Sequence, residues 1–109
     1  MYVRRARRSI LWPEVVTNVL GYGDIVPGAE ISKAGGAAVA NSDSVAGFAS
    51  AGRIIQCAVD TFGRIACVVN NAGILRDAIF HKLMEEDWDA VIAVMLKGAF
   101  NTSRHAAEN

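Results

Sequence analysis

Val68-Val69-Asn70-Asn71-Ala72-Gly73 is an apolar run that ends in two amides, a small residue and a glycine. Residues 65–69 read as a buried strand, and Asn70 and Asn71 stand where such a strand would leave its sheet. In an open parallel sheet, ligands bind in the crevice outside the carboxyl ends of the strands. A ligand site on this chain is therefore expected first at Asn71, Ala72 and Gly73.

The residues on either side fit that frame. Upstream, Phe48, Ala51, Ile55, Ala58 (or Val59) and Phe62 recur at spacings of three and four, which predicts a helix over about 45–62 with one apolar face. Asp43 and Ser44 offer N-cap oxygens, and Gly63 is the expected stop. Before it, residues 37–41 (AAVAN) read as a short buried strand, and residues 29–33 read as the end of a short helix stopped by Gly35-Gly36. Residues 14–20 (EVVTNVL) are rich in β-branched side chains and read as another strand. Gly21-Tyr22-Gly23-Asp24 and Pro27-Gly28 come next as loop chemistry. A Gly-x-Gly after a strand invites a dinucleotide-loop reading, but Val26 holds the third glycine position, so a plain turn is favoured.

Downstream, a loop runs through Ile74, Leu75, Arg76 and Asp77. A last helix is expected from about Glu85. Its first turn carries Glu85, Glu86 and Asp87, which suits the positive end of the helix dipole. Trp88, Val91, Ile92, Met95 and Ala99 form its expected apolar stripe. Strands and helices thus alternate, which predicts an α/β domain with a parallel sheet.

The chain has 109 residues, 52% of them hydrophobic and 20% charged, with a net charge of zero. Those values belong to a single globular domain or a piece of one, not to a disordered chain. Nothing in the total charge points to nucleic acid or a membrane, and no apolar run approaches the roughly 20 residues of a spanning helix. Arg4, Arg5, Arg7 and Arg8 crowd the start, and the first acid is Glu14. A transit peptide is one reading of such a start. Pro13 would soon break an amphipathic helix, so residues 1–13 are expected to be a basic segment outside the fold.

Other chemistries find little support. Cys57 and Cys67 are expected to be small core residues rather than ligands or nucleophiles. His81 and His105 lack partners at metal-ligand spacing and are expected on the surface, so no metal is expected. Glu85, Glu86, Asp87 and Asp89 are explained by a solvated helix start.

Val15-Val16-Thr17-Asn18-Val19-Leu20-Gly21, Gly35-Gly36-Ala37-Ala38-Val39-Ala40-Asn41, Phe62-Gly63-Arg64-Ile65 and the block from Asn70 to Asp77 together resemble the short-chain dehydrogenases/reductases. Asp87-Trp88-Asp89-Ala90-Val91-Ile92 and Leu96-Lys97-Gly98-Ala99-Phe100 continue the likeness. Within that family the wording is most similar to the (3R)-hydroxyacyl-CoA dehydrogenase units of multifunctional β-oxidation enzymes, then to 3-oxoacyl-carrier-protein reductases. The resemblance implies a partial Rossmann-type doubly wound sheet over residues 14–109. It would hold the family's second, third and fourth strands with their helices. It also implies NAD or NADP as cofactor. Asp43 would hydrogen-bond the adenine, and Asn71, Ala72 and Gly73 would line the adenosine and ribose region. The helix over 85–105 would contribute to a homo-oligomer. A cytoplasmic location is expected, with a mitochondrial or peroxisomal parent left open.

The departures from the family shape the functional expectation. Its first strand and glycine-rich phosphate loop have no counterpart in this sequence, nor do its catalytic Ser and Tyr-x-x-x-Lys pair. Tyr2 and Tyr22 have no Lys four residues on. Met95 stands where the family carries a polar Asn or His. Val19 stands where the nearest members carry an Asp that selects NAD. No catalytic residue is therefore assigned. The chain alone is expected to be inactive, a non-catalytic nucleotide-binding or oligomerisation module or the product of a disrupted gene being the alternatives. In the family order the missing strand lies between the second and the fourth. Its absence would leave two apolar edges facing a gap, so the chain is expected to need repacking or a partner to fold.

Overall fold

The computed structural model describes Tyr2–Arg4, Glu14–Asn18, Lys33 and residues 35–109. The expected loop over 21–28, the end of the first strand at Val19 and Leu20, and all of the short helix except Lys33 lie outside the described residues. Four strands form one sheet in the order β3-β2-β1-β4. β1 is Tyr2–Arg4, β2 Glu14–Asn18, β3 Ala37–Asn41 and β4 Cys67–Val69. β2 and β3 pair parallel, with Val16 opposite Val39. β1 runs antiparallel to both β2 and β4, so those two point the same way. The carboxyl ends of β2, β3 and β4 therefore share one edge of the sheet.

The gap expected beside β4 is filled. Val3 lies opposite Val16 on one side and Val68 on the other. The sequence alone sets residues 1–13 outside the fold, whereas Tyr2–Arg4 lies inside the sheet. Two strands with unpaired backbone on facing sides recruit whatever extended chain is at hand, because orphaned amides are unfavourable. The linker sets the direction. Residues 5–13 suffice for an antiparallel return but not for a parallel crossover, which takes about a dozen residues or more.

Helix α1 spans Phe48–Phe62 and ends at Gly63, whose φ of 80° is the left-handed conformation that suits glycine. It starts three residues later than its apolar pattern suggests. Its N-cap is Gly47, not Asp43 or Ser44. Those two are engaged elsewhere: the Ser44 hydroxyl accepts from the Ala46 N–H, and the Asp43 carboxylate is held by Asn41 and Arg53. Ala51, Ile54, Ile55, Ala58 and Phe62 form its buried face. With Val45 they make the core, against which Val39, Ile65, Val68 and Val94 pack. Phe48 instead stays 48% exposed.

β4 is shorter and more open than expected. Cys67 and Val69 are exposed, and only Val68 turns toward the core. β4 is one of the two edge strands of the four, and alternate side chains of a strand face opposite sides. Cys67 is thus a surface thiol rather than a core residue, while Cys57 is half-buried. β3 likewise is half-buried rather than buried.

After a single 3₁₀ turn at Phe80–Lys82, the last helix starts at Glu85 as its acids suggest. It has three segments: α2 over Glu85–Val91, a π-helical stretch over Ile92–Lys97, and α3 over Gly98–Ala106. The π stretch closes i→i+5 rings and so rotates α3 away from the phase that an uninterrupted α-helix would give it. Of the expected stripe, Trp88 and Met95 end up more than half exposed and Val91, Ile92 and Ala99 half-buried, and the buried positions are Gly98, Asn101 and Thr102. Gly98 lets α3 approach the core. A Cβ there would sit 2.9 Å from Val45 Cγ2.

Candidate functional site

Two loops leave the shared sheet edge, one after β3 and one after β4. Three strand spacings separate them, roughly 14 Å. The loop after β3 is tightly clamped. Asn41 Oδ1 accepts from the Asp43 N–H at 2.8 Å, and Asn41 Nδ2 donates to Asp43 Oδ2 at 3.2 Å. Arg53, one turn into α1, donates through Nε to Asp43 Oδ1 at 2.8 Å and through a terminal nitrogen to the same oxygen. The Arg53 hydrogen bonds, opposed by partial desolvation and helped by Asn41, hold the Asp43 carboxyl below its ordinary value of 3.8.

A depressed carboxyl pKa makes the folded state bind the proton less tightly than the unfolded state does. Its contribution to stability is present above the unfolded value and disappears as pH falls through the lowered folded value. Arg53→Ala is therefore expected to lower stability slightly at neutral pH and to converge with the wild type at the acid end, so that the limb below about pH 4 is flatter. Urea unfolding at a series of pH values checks this. An acid limb as steep as that of the wild type would show that the pair does not couple to folding.

The loop after β4 is anchored by its first residue. Thr102 donates its hydroxyl to Asn70 Oδ1, and Asn70 Nδ2 donates to Ser103 Oγ at 3.0 Å. Both partners lie on α3, so Asn70 ties the end of β4 to the last helix. Asn101, beside Thr102, is fully buried and donates to the Val45 carbonyl at 2.9 Å and to that of Ala46 at 3.2 Å. α3 thereby holds both loops at once. Thr102→Val, nearly isosteric, is expected to lower stability by about 1–2 kcal/mol, because it strands the Asn70 carbonyl. A urea midpoint equal to that of wild type would contradict this.

The expected site residues reach the edge in different ways. Asn71 and Gly73 are exposed and Ala72 is half-buried. Ala72, Asn70, Val45 and Met95 line a hollow of about 10 Å³, room for one water at most. A Cβ at Gly73 would meet only Met95, at 3.9 Å. Crowding within the chain therefore does not require glycine there. Asp43 stands on the neighbouring loop and joins the same edge, but it does not cap α1. Arg53, Thr102 and Asn101 escape a reading of the sequence. Their roles rest on contacts 10 to 56 residues apart, which no local pattern carries.

His105 is not an isolated surface residue. Its ring packs 4.3 Å from that of Phe48, and its Nε2 lies 2.9 Å from the Phe48 carbonyl oxygen. Among the described residues, no three His, Cys, Asp or Glu side chains come together as metal ligands. No helix among them is long and apolar enough to cross a membrane.

Known proteins match this arrangement. The short chain dehydrogenase family matches residues 27–109. The chain is 53% identical over 79 residues to the mouse peroxisomal multifunctional enzyme type 2, covering 72% of this chain and 10% of that one. It is 42% identical over 94 residues to a hydroxyacyl-CoA dehydrogenase of Mycobacterium tuberculosis, covering 84% of this chain and 29% of that enzyme. A crystal structure of a short chain dehydrogenase from Mycobacterium avium superposes with a TM-score of 0.71 at 53% identity, covering 74% of this chain and 28% of that one. The chain thus spans between a tenth and a third of the length of these relatives. The sheet, the two edge loops and the sequence likeness agree, and the chain belongs to the short-chain dehydrogenase family.

Proposed function

We propose that this chain carries the adenosine-side wall of an NAD(P) site, with Asp43 accepting from the adenine amino group and Asn71, Ala72 and Gly73 lining the adenosine and ribose. The observation that carries the reading is the shared edge: β3 and β4 deliver Asp43 and the Asn-Asn-Ala-Gly turn to the same side of one sheet. A carboxylate accepts where adenine donates, and a turn of Ala and Gly leaves backbone open to close approach. The likeness to a hydroxyacyl-CoA dehydrogenase supports 3-hydroxyacyl-CoA oxidation, or the reverse reduction, as the activity of a complete enzyme with this wall. In such an enzyme the dinucleotide supplies hydride transfer. This chain's own residues would bind and orient its adenosine half. No residue of this chain is assigned to proton transfer, since Met95, exposed beside Gly73, has neither a proton nor a strong acceptor to offer. The 109-residue chain is therefore expected to bind NADH weakly and to leave hydroxyacyl-CoA unreacted. Titration with NADH to millimolar concentration, followed by its fluorescence, tests the first half. An unchanged signal would sink the reading.

A second reading has an observation of its own. Trp88, Met95, Leu96 and Phe100 are each more than half exposed along the last helix, which favours self-association through that helix. Sedimentation velocity over a concentration series tests it, and a concentration-independent monomer would exclude it.

A further inference from the structure

We propose that Arg53 is a positioning residue for adenine recognition: from α1 it fixes the orientation of the Asp43 carboxylate at the sheet edge. This rests on the adenosine-wall reading above and adds to it a residue outside both edge loops.

The geometry sets Arg53 apart from an ordinary surface cation. Two of its nitrogens converge on one oxygen, Asp43 Oδ1. Asn41 donates to the other oxygen, Oδ2, and accepts from the Asp43 N–H. The carboxylate is thus gripped at both oxygens, and its own backbone is fixed to the strand that precedes it. The base of the grip is firm, since Arg53 is followed on α1 by Ile54 and Ile55, both buried in the core. The Arg53 side chain itself is 62% exposed and that of Asp43 24%. The pair therefore lies where a ligand can reach it, and it adds little to the core.

An Asp at the tip of a loop normally samples several rotamers, and a ligand that uses it must freeze one. Ordering one such side chain beforehand is worth about two- to tenfold in affinity. The guanidinium presents a planar fork that a Lys ammonium cannot imitate. Lysine would retain the charge and lose the fixed direction.

Equilibrium titrations of the full chain with 5′-AMP and with nicotinamide mononucleotide, followed by NMR chemical shifts, test the proposal. The two ligands share ribose and phosphate and differ in the base. Arg53→Ala is expected to weaken AMP binding about two- to tenfold and leave nicotinamide mononucleotide unchanged. Arg53→Lys is expected to recover less than half of that loss on a logarithmic scale. Asp43→Ala should lose at least as much, and adding Arg53→Ala to it should change nothing more. Equal losses for both ligands, or additivity with Asp43→Ala, would overturn the proposal. So would AMP affinity unchanged by Arg53→Ala in a chain that does bind AMP and loses it on Asp43→Ala, and in that case the adenosine wall would stand. A wild-type chain that binds neither ligand would remove the wall and Arg53's role together.

Discussion

Val3→Pro is expected to abolish the monomeric folded state of the isolated chain. Val3 is the middle residue of β1, and β1 is an interior strand with β2 on one side and β4 on the other. Proline has no N–H to give to either neighbour, and its ring crowds the adjacent strand, so it is confined to edges and bulges. The carbonyl left without a donor alone costs about 1–3 kcal/mol. The larger effect is topological. Without β1 the sheet divides into a β2–β3 pair and a lone three-residue β4, each with an open edge. A two-stranded piece is marginal by itself, and open apolar edges associate. Deleting residues 1–13 should do the same, while Val3→Ile should be nearly neutral. Sedimentation velocity and urea unfolding decide it. A monomer with an unshifted midpoint in the proline variant would show that Tyr2–Arg4 does not hold the sheet together.

The same strand marks where sequence reading stops. β3 is legible to the residue, because Gly35-Gly36 and a short apolar run bracket it. The end of α1 at Gly63 and the start of the last helix at Glu85 are legible for similar reasons, a left-handed glycine and a cluster of acids at a helix N-terminus. β1 is not, because three residues beside a run of arginines have no periodicity. What selects them is an unpaired edge on either side, which is a property of the assembled sheet. The π-helical stretch over Ile92–Lys97 is equally silent. An α-helical period read through it assigns Met95 to the core and misses Asn101 and Thr102, both fully buried. Those two are polar: Asn101 finds its partners across the fold, at the Val45 and Ala46 carbonyls, while the Thr102 hydroxyl is within reach of both Asn70 and the Gly98 carbonyl of its own helix.

The candidate site divides in the same way. Asn71, Ala72, Gly73 and Asp43 come from a family likeness that rests on short local wording. The residues that hold this edge, Thr102 behind Asn70 and Arg53 behind Asp43, are fixed by packing between elements. A sheet edge can thus be located from strands alone, whereas the rigidity of its loops depends on helices that approach from elsewhere in the chain.

Ile54→Ala is expected to remove a large share of the stability of the fold. Ile54 is fully buried, at the centre of the face that α1 presents to Val45, Val68 and Val94. Truncation to Ala loses the transfer free energy of the missing atoms and leaves a cavity that helix and sheet cannot fully close. Such changes cost about 2–5 kcal/mol. A domain of this size holds about 5–15 kcal/mol in total, so the urea midpoint should fall steeply, with the slope unchanged if the transition stays two-state. Ile55→Val, one residue on, should cost only about 0.5–1.5 kcal/mol. The variant also reports on the architecture. α1 packs on the sheet through Val39 and Val68 and on the last helix through Val94. If these layers form one cooperative unit, fluorescence of Trp88 on α2, read in a Trp12→Phe background that leaves it the single tryptophan, and far-ultraviolet circular dichroism will lose their signals at the same lowered urea concentration. Separate transitions, with the fluorescence change left at its wild-type midpoint, would mean that the last helix stands apart from the core. The joint grip of α3 on both loops, through Asn101 and Thr102, would then not outlast the loss of that core.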